Sequence, residues 1–306
     1  MYSTRIGSTS PLSDIEQQFK KAFDPVAEDF AAHRAMNHPF FDYLKEQAKT
    51  GFNPRQFQIY RDNFFYRTEL TIPSVARAIE KAALNGDMQT IADTVRNLYD
   101  EGGYGDPTKI HSQLLLNSHN QHGERVFSIS PLAVLRDVKH SPFLVPAVQD
   151  YRRSKIAVFN RSYPYIAGNT WAHELAADGM LVNFRESFFE PYKGYYTEEA
   201  YNKLTEFYTA HKDESVEGGD VELQHERMAR AAERACSKNI RNIPKMREGG
   251  LEFLERQSVL WENMEKAIEA AKHQGVPVPP KPDHLPSCSP SKSEARRVVD
   301  PKQKSL

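Results

Sequence analysis

Cysteine is nearly absent: Cys236 and Cys288 are the only two thiols in 306 residues. Two thiols cannot build a disulfide framework or a sulfur-rich metal site. Any metal must therefore be held by oxygen and nitrogen, and a reducing cytosol is the expected compartment. Basic charge is not in excess either. Forty Lys and Arg against 41 Asp and Glu leave a net charge of −1, and the cations form no block that would track a phosphate backbone, so nucleic acid is excluded as an expected partner. No stretch reaches the roughly 18 apolar residues of a membrane span, and the start MYSTRIGSTSPLSD lacks the apolar core of a secretory signal. A soluble, cytoplasmic protein with no membrane partner is expected. Strand-like alternation is hard to find, and no internal repeat occurs.

What is present is helical periodicity, and with 39% hydrophobic residues the chain can build one large core or two modest ones. The pattern predicts an all-α protein: a polar extension over 1–23, a helical domain over 24–274 and a disordered Pro/Ser/Lys-rich tail over 275–306. Asp24-Pro25 and His38-Pro39 open the first helices. Pro54 opens a long one to about 84, which Pro73 should kink or break. A helix from about 88 reaches Glu101 and stops at Gly102, Gly103 and Gly105. Asp106-Pro107 is the expected start of the next, which carries His111. The stretch 117–142 reads as polar and irregular, with one short helix near 132–137, and His119 and His122 within it read as solvated loop residues. Later helices are expected at 144–161, 164–192, 197–212, 220–237 and 251–272.

Ionisable side chains of metal-binding type recur inside these apolar patterns. Glu174 shares a stripe with Thr170, Ala177, Leu181, Phe184 and Phe188; Glu69 falls in the row Phe65, Ile72, Ala76 and Ile79. His211 continues the stripe of Leu204 and Tyr208. Glu222 and His225 are three apart on another stripe, so that one helix can offer a carboxylate and an imidazole to one ion. A buried ionisable group costs several kcal/mol unless compensated, and a pair of metal ions compensates many such groups at once. The competing account for each is local: an imidazole bonded to a carbonyl, or a glutamate paired with Arg67, Arg161 or Arg185. His33, His38, His140 and His173 read as structural or surface residues. Tyr66, Phe64 and Phe65 are candidates to line a pocket.

The stretch LYDEGGYGDPTKIHSQLL, with Glu101 and His111, resembles the first ligand motif of the haem-oxygenase-like diiron oxidases and oxygenases, and Glu174 in TWAHELAADGM matches their central ligand. That family closes with His-x3-Asp-x2-His. Here FYTAHKDESVEGGDVELQHERM sets His211 and His225 too far apart, so an insertion near 213–219 must loop out, with Glu222 or Asp220 in place of the usual aspartate. Glu69 matches the additional carboxylate that some members use. The resemblance covers about 40–270. It implies a haem-free, haem-oxygenase-like bundle of seven or eight helices holding two Fe2+, with Mn2+ a credible substitute, through Glu69, Glu101, His111, Glu174, His211, Asp220 or Glu222, and His225. It further implies bridging roles for Glu101 and Glu174 in catalysis, O2 as co-substrate and a peroxo-diferric oxidant. The implied substrate is a small molecule bearing an amine or carboxylate. An external reductant supplies electrons unless the substrate does, and an electron-donor protein and a homodimer are the macromolecular partners left open. Arg67, Tyr66, Arg185 and Lys155 are candidate substrate anchors, with helix-surface charge the competing role. The same scaffold also resembles metal-free relatives, the thiaminase-II-like hydrolases and the cofactorless quinone-forming oxidase, in which the acids and imidazoles would do acid–base work. A third reading is a non-catalytic protein that recruits a partner through PVPPKP in the tail.

Overall fold

Proline and capping side chains set where the helices begin. His38 accepts from the Phe40 N–H at 3.2 Å with Pro39 at the first helical position, and Asn53 and Gln56 form a reciprocal capping box around Pro54. The computed structural model describes residues 14–209 and 221–282, with side chains for all of these except 14, 15 and 221–226. Among the described residues are twelve α-helices and no strand. They are α1 (Asp14–Ala31), α2 (Pro39–Ala48), α3 (Pro54–Thr68), α4 (Thr71–Leu84), α5 (Met88–Glu101), α6 (His111–Phe127), α7 (Pro146–Val158), α8 (Tyr163–Phe188), α9 (Glu198–Leu204), α10 (Glu206–Thr209), α11 (Val221–Ser237) and α12 (Ile243–Ala270).

The all-α expectation holds, but the helices number twelve where seven or eight were expected, because long periodic stretches are cut. The 54–84 stretch divides at Glu69 and Leu70: Pro73 has no N–H to offer the Glu69 carbonyl, and its ring crowds that carbonyl. The apolar row read across the break fails with it, since Ala76 is exposed while Val75, Ala78 and Ala82 are buried. At the amino end, α1 starts ten residues before the expected boundary at 24. Phe19 and Phe23 explain this: they stack on each other at 5.6 Å, and Phe23 stacks on Trp171 at 5.5 Å.

Helices α8 and α12 form the centre, and they cross with their backbones almost touching. A Cβ at Gly168 would lie 1.9 Å from the Met246 carbonyl oxygen, and one at Gly249 would lie 2.1 Å from that of Tyr165. Further along the same two helices Phe40, Phe41, Phe184 and Trp261 pack edge to face or stacked, and Tyr60 stacks on Phe188 at 3.8 Å. Each such ring withdrawn from water contributes about 1.5–3 kcal/mol.

The first residues of the expected disordered tail are ordered. The Val278 N–H donates to the Phe52 carbonyl at 2.9 Å and the Lys281 N–H to the Pro191 carbonyl at 2.7 Å, while the Tyr195 hydroxyl donates to the Pro279 carbonyl at 3.1 Å. PVPPKP is therefore strapped to its own domain along 277–282. Its prolines give up few donors, and the donors that remain are all used in this way. No described helix is long and apolar enough to cross a membrane.

Candidate active site

The turn after α5 positions the first two candidate ligands. Gly103 (φ +68°), Tyr104 (φ +58°) and Gly105 (φ +86°) all lie in the left-handed region, and a Cβ on Gly103 would fall 2.5 Å from the backbone of Lys109 and Ile110. Only glycine fits at 103. The tight reversal sets Glu101, the last residue of α5, against His111, the first of α6, with Oε1 and Nδ1 3.4 Å apart. α6 was expected to begin at Asp106-Pro107; instead Asp106 accepts from the Thr108 N–H at 2.9 Å in a separate turn, and the helix starts at His111. That shift puts His111 at the mouth of the helix, where it faces Glu101.

Glu174 approaches from α8. Tyr163 donates to Asp87 at 2.7 Å and the Asn97 amide reaches Glu174 at 3.4 Å, so α5 and α8 run in the same direction. Glu101, His111 and Glu174 line one cavity of about 490 Å³. Its other walls are mostly apolar, with Phe64, Ile72, Leu116, Leu135, Met180 and Phe207 among them. Glu174 keeps some accessible surface but faces the cavity rather than the outside. Burial, with the Glu101 charge adding to it, pushes its carboxyl up to about 7. Burial lowers the His111 imidazole, but the Glu101 hydrogen bond and charge, helped by Asp100, outweigh it and raise the group overall.

Glu69 borders the same cavity at the junction of α3 and α4, but it is held from the side by Arg152 at 2.9 Å and Arg136 at 3.4 Å. The local account, a glutamate paired with arginine, describes it, although with arginines other than those expected. His211 and Asp220 lie outside the described residues, and so do the side chains of Glu222 and His225.

The backbone of α11 is described, and contacts with α5 set its direction. Arg234 pairs with Asp93 at 2.8 Å and donates to Thr90 at 3.0 Å, while one end further along Arg227 acts electrostatically on Asp100. These contacts make α11 antiparallel to α5.

Four further residues border or flank the site. His173, read as structural or surface, lines the cavity, and burial holds its imidazole well below the usual range. Asn97 orients Glu174. Arg67 also lines the cavity; it is 3% exposed, lies over the Tyr151 and Trp261 rings and donates to Gln257 at 2.5 Å. Lys155 is 5% exposed, donates to Asn169 at 3.0 Å and is lowered to about 7 by burial. Neither cation is helix-surface charge. Of the other candidate anchors, Arg185 stands 3.5 Å from Glu190, and Tyr66 lies beneath the Arg152 guanidinium.

His119 and His122 are not in a loop: both sit on α6 with no exposed surface. The Nδ1 of His119 meets the Leu115 carbonyl at 3.0 Å, and its Nε2 meets the Tyr60 and Tyr208 hydroxyls at 3.0 and 3.2 Å; His122 meets the Tyr196 hydroxyl at 2.9 Å. Burial pushes each imidazole down to about 3. Both are core histidines, His119 bonded at both ring nitrogens and His122 at Nδ1 alone, and both are hidden in the sequence by their Asn- and Gln-rich neighbours.

Two carboxylates and an imidazole on an apolar wall suit iron or manganese in their donor chemistry. Among the described residues no group of three or more His, Cys, Asp or Glu is placed to hold an ion.

Similarity to known proteins lies in the fold. The sequence matches no protein-family model and no curated protein. Among solved structures, a CADD-like protein of unknown function from Nostoc punctiforme is 15% identical with a TM-score of 0.55, covering 85% of this chain and 99% of that one. A TenA homologue from Pseudomonas syringae pv. tomato is 14% identical with a TM-score of 0.57, covering 85% and 99%. Both have the haem-oxygenase-like helical fold, and this chain shares it.

Proposed function

We propose that the cavity is the active site of a non-haem oxidase or oxygenase that holds two Fe2+, or Mn2+ in their place, and uses O2 to oxidise a small organic substrate. One observation carries the reading: Glu101, His111 and Glu174, from three helices, line a single, mostly apolar cavity, and α11 packs antiparallel to the helix that carries Glu101. Glu101, His111 and Glu174 would hold the metal, with His225 and Glu222 of α11 as the expected complement; His211, Asp220 and Glu69 complete the candidate set. Bound ferrous iron would supply electrons and open positions for dioxygen, with further electrons from the substrate or an external donor.

The rest is the work of the chain. The Asn97 amide orients Glu174, and the Gly103 turn keeps Glu101 against His111. Leu116, Leu135 and Met180 exclude water from the reacting centre. Anaerobic titration with ferrous iron, followed by oxygen uptake, tests the proposal. Iron bound stoichiometrically by the wild type and lost from Glu174→Ala and His111→Ala is the expected result. If the wild type binds none, the same cavity is left as a metal-free acid–base site centred on Glu174.

A further inference from the structure

Helix α5 carries its apolar side outward. Its inner face is polar, with Thr90, Thr94 and Asn97 buried and Glu101 on the cavity wall, while its outer face presents Met88, Ala92, Val95 and Tyr99 at steps of four, three and four. Met88 is 72% exposed and Tyr99 55%, on the side where a surface helix ordinarily presents charge. Leu84, just before the helix, and Tyr104, just after it, are exposed as well. Helices α4 and α11 pack on other sides of α5, and the stripe itself stands open. The charges on the same helix beside it are Asp93, Arg96 and Asp100. One cation against two acids does not suit an anionic lipid surface.

We propose that this stripe is the contact between two copies of the chain, with α5 of one lying antiparallel on α5 of the other. Steps of four, three and four read the same from either end, so a two-fold axis between positions 93 and 94 carries the stripe onto itself. Met88 then meets the partner's Tyr99, and Ala92 meets the partner's Val95. Large side chains pair toward the ends and small ones at the centre, where the two helices come closest. The stripe and its flanking residues offer about 500–600 Å² per copy, so that a pair buries about 1,000–1,200 Å², the lower end of specific interfaces. Association in the micromolar range follows. The contact also reaches the active-site turn: the Tyr99 hydroxyl donates to the Tyr104 carbonyl at 2.9 Å, and the two rings meet edge to face at 5.5 Å. A second copy seated on this pair of rings braces the turn that sets Glu101 against His111.

The pairing is independent of what the cavity binds. Sedimentation equilibrium of the full chain over about 1–100 µM should show a monomer–dimer equilibrium. Val95→Glu sets two like charges beside the axis and should weaken it at least about tenfold, with the helical circular dichroism signal unchanged because Val95 is exposed. Ala92→Lys should act likewise on its own. The two variants mixed should pair again, since the acid introduced in one chain then faces the base introduced in the other, which happens only in the antiparallel register. Amide hydrogen exchange across 102–105 should quicken in Val95→Glu. A wild type that stays monomeric at about 100 µM, whether its stripe is covered by its own chain or taken up by lipid vesicles, overturns the proposal. So does a dimer that Val95→Glu leaves intact. A mixture that stays monomeric overturns the register, and unchanged exchange at 102–105 overturns the bracing of the turn.

Discussion

Replacing Glu174 with glutamine should stabilise the metal-free protein while destroying its capacity for metal. The wild-type carboxyl sits at about 7 instead of its ordinary 4.5, through burial and the Glu101 charge. A carboxyl raised in the folded state contributes fully below 4.5, and that contribution is lost as pH rises through 7. With each pKa unit worth about 1.4 kcal/mol, ionised Glu174 weakens the metal-free fold at pH 8 by about 2–3 kcal/mol once water in the cavity is allowed for. Glutamine keeps the shape and carries no charge. Glu174→Gln should therefore match the wild type near pH 4.5 and exceed it by about 2–3 kcal/mol at pH 8 with chelator present. Adding Mn2+ should invert the order: an ion at a hundred times its dissociation constant stabilises the wild type by about 2.7 kcal/mol and the variant hardly at all. Urea unfolding across this pH range, with and without Mn2+, measures both effects. If Glu174 served instead as half of a buried ion pair with Lys155, its loss would cost about 3–5 kcal/mol. A variant weaker than the wild type at pH 8 without metal would refute the reasoning.

His111→Ala and Glu174→Ala should each lose most bound iron and keep most of the helical circular dichroism signal, since each removes a donor and little packing; stoichiometric iron retained in both would count against the site. Gly103→Ala forces a side chain into a left-handed turn and against Lys109, at a cost of about 1–2 kcal/mol or more, and should weaken Mn2+ binding by moving His111 off Glu101; unchanged affinity would show that the turn does not position the pair. His119 and His122 are depressed in the folded state to about 3. Their contribution is therefore intact above about 6.5 and lost as pH falls toward 3, by about 2 kcal/mol each at pH 5. Glu174 works in the opposite direction over part of that range, so the comparison is between proteins: His122→Phe should narrow the stability difference between pH 7 and pH 5 by about 2 kcal/mol, and an undiminished difference would contradict the buried, neutral imidazole.

Much of the local architecture was legible in the chain because its causes are local. Asn53 and Gln56 cap α3, Pro73 ends the helix before it, and Gly103 stops α5, each through the backbone within a few residues of itself. The spacing of Glu101 and His111 across that turn survived folding for the same reason, and the stripe of Thr170, Leu181, Phe184 and Phe188 faces inward as its period requires. Burial of charge could not be read this way, since a charged side chain in one helix gives no sign of what the other helices bring against it. Arg67 and Lys155 looked like surface charge until Tyr151, Trp261 and Phe253 closed over them, and His119 and His122 looked like loop residues until Tyr60 and Tyr196 came to meet them. Glu69 held the apolar register on paper, but the break at Leu70 turned it toward Arg152. Periodicity along one helix is a property of the sequence. Which side chains share a cavity, and which charges there lack a partner, is decided by helices far apart in the chain packing together.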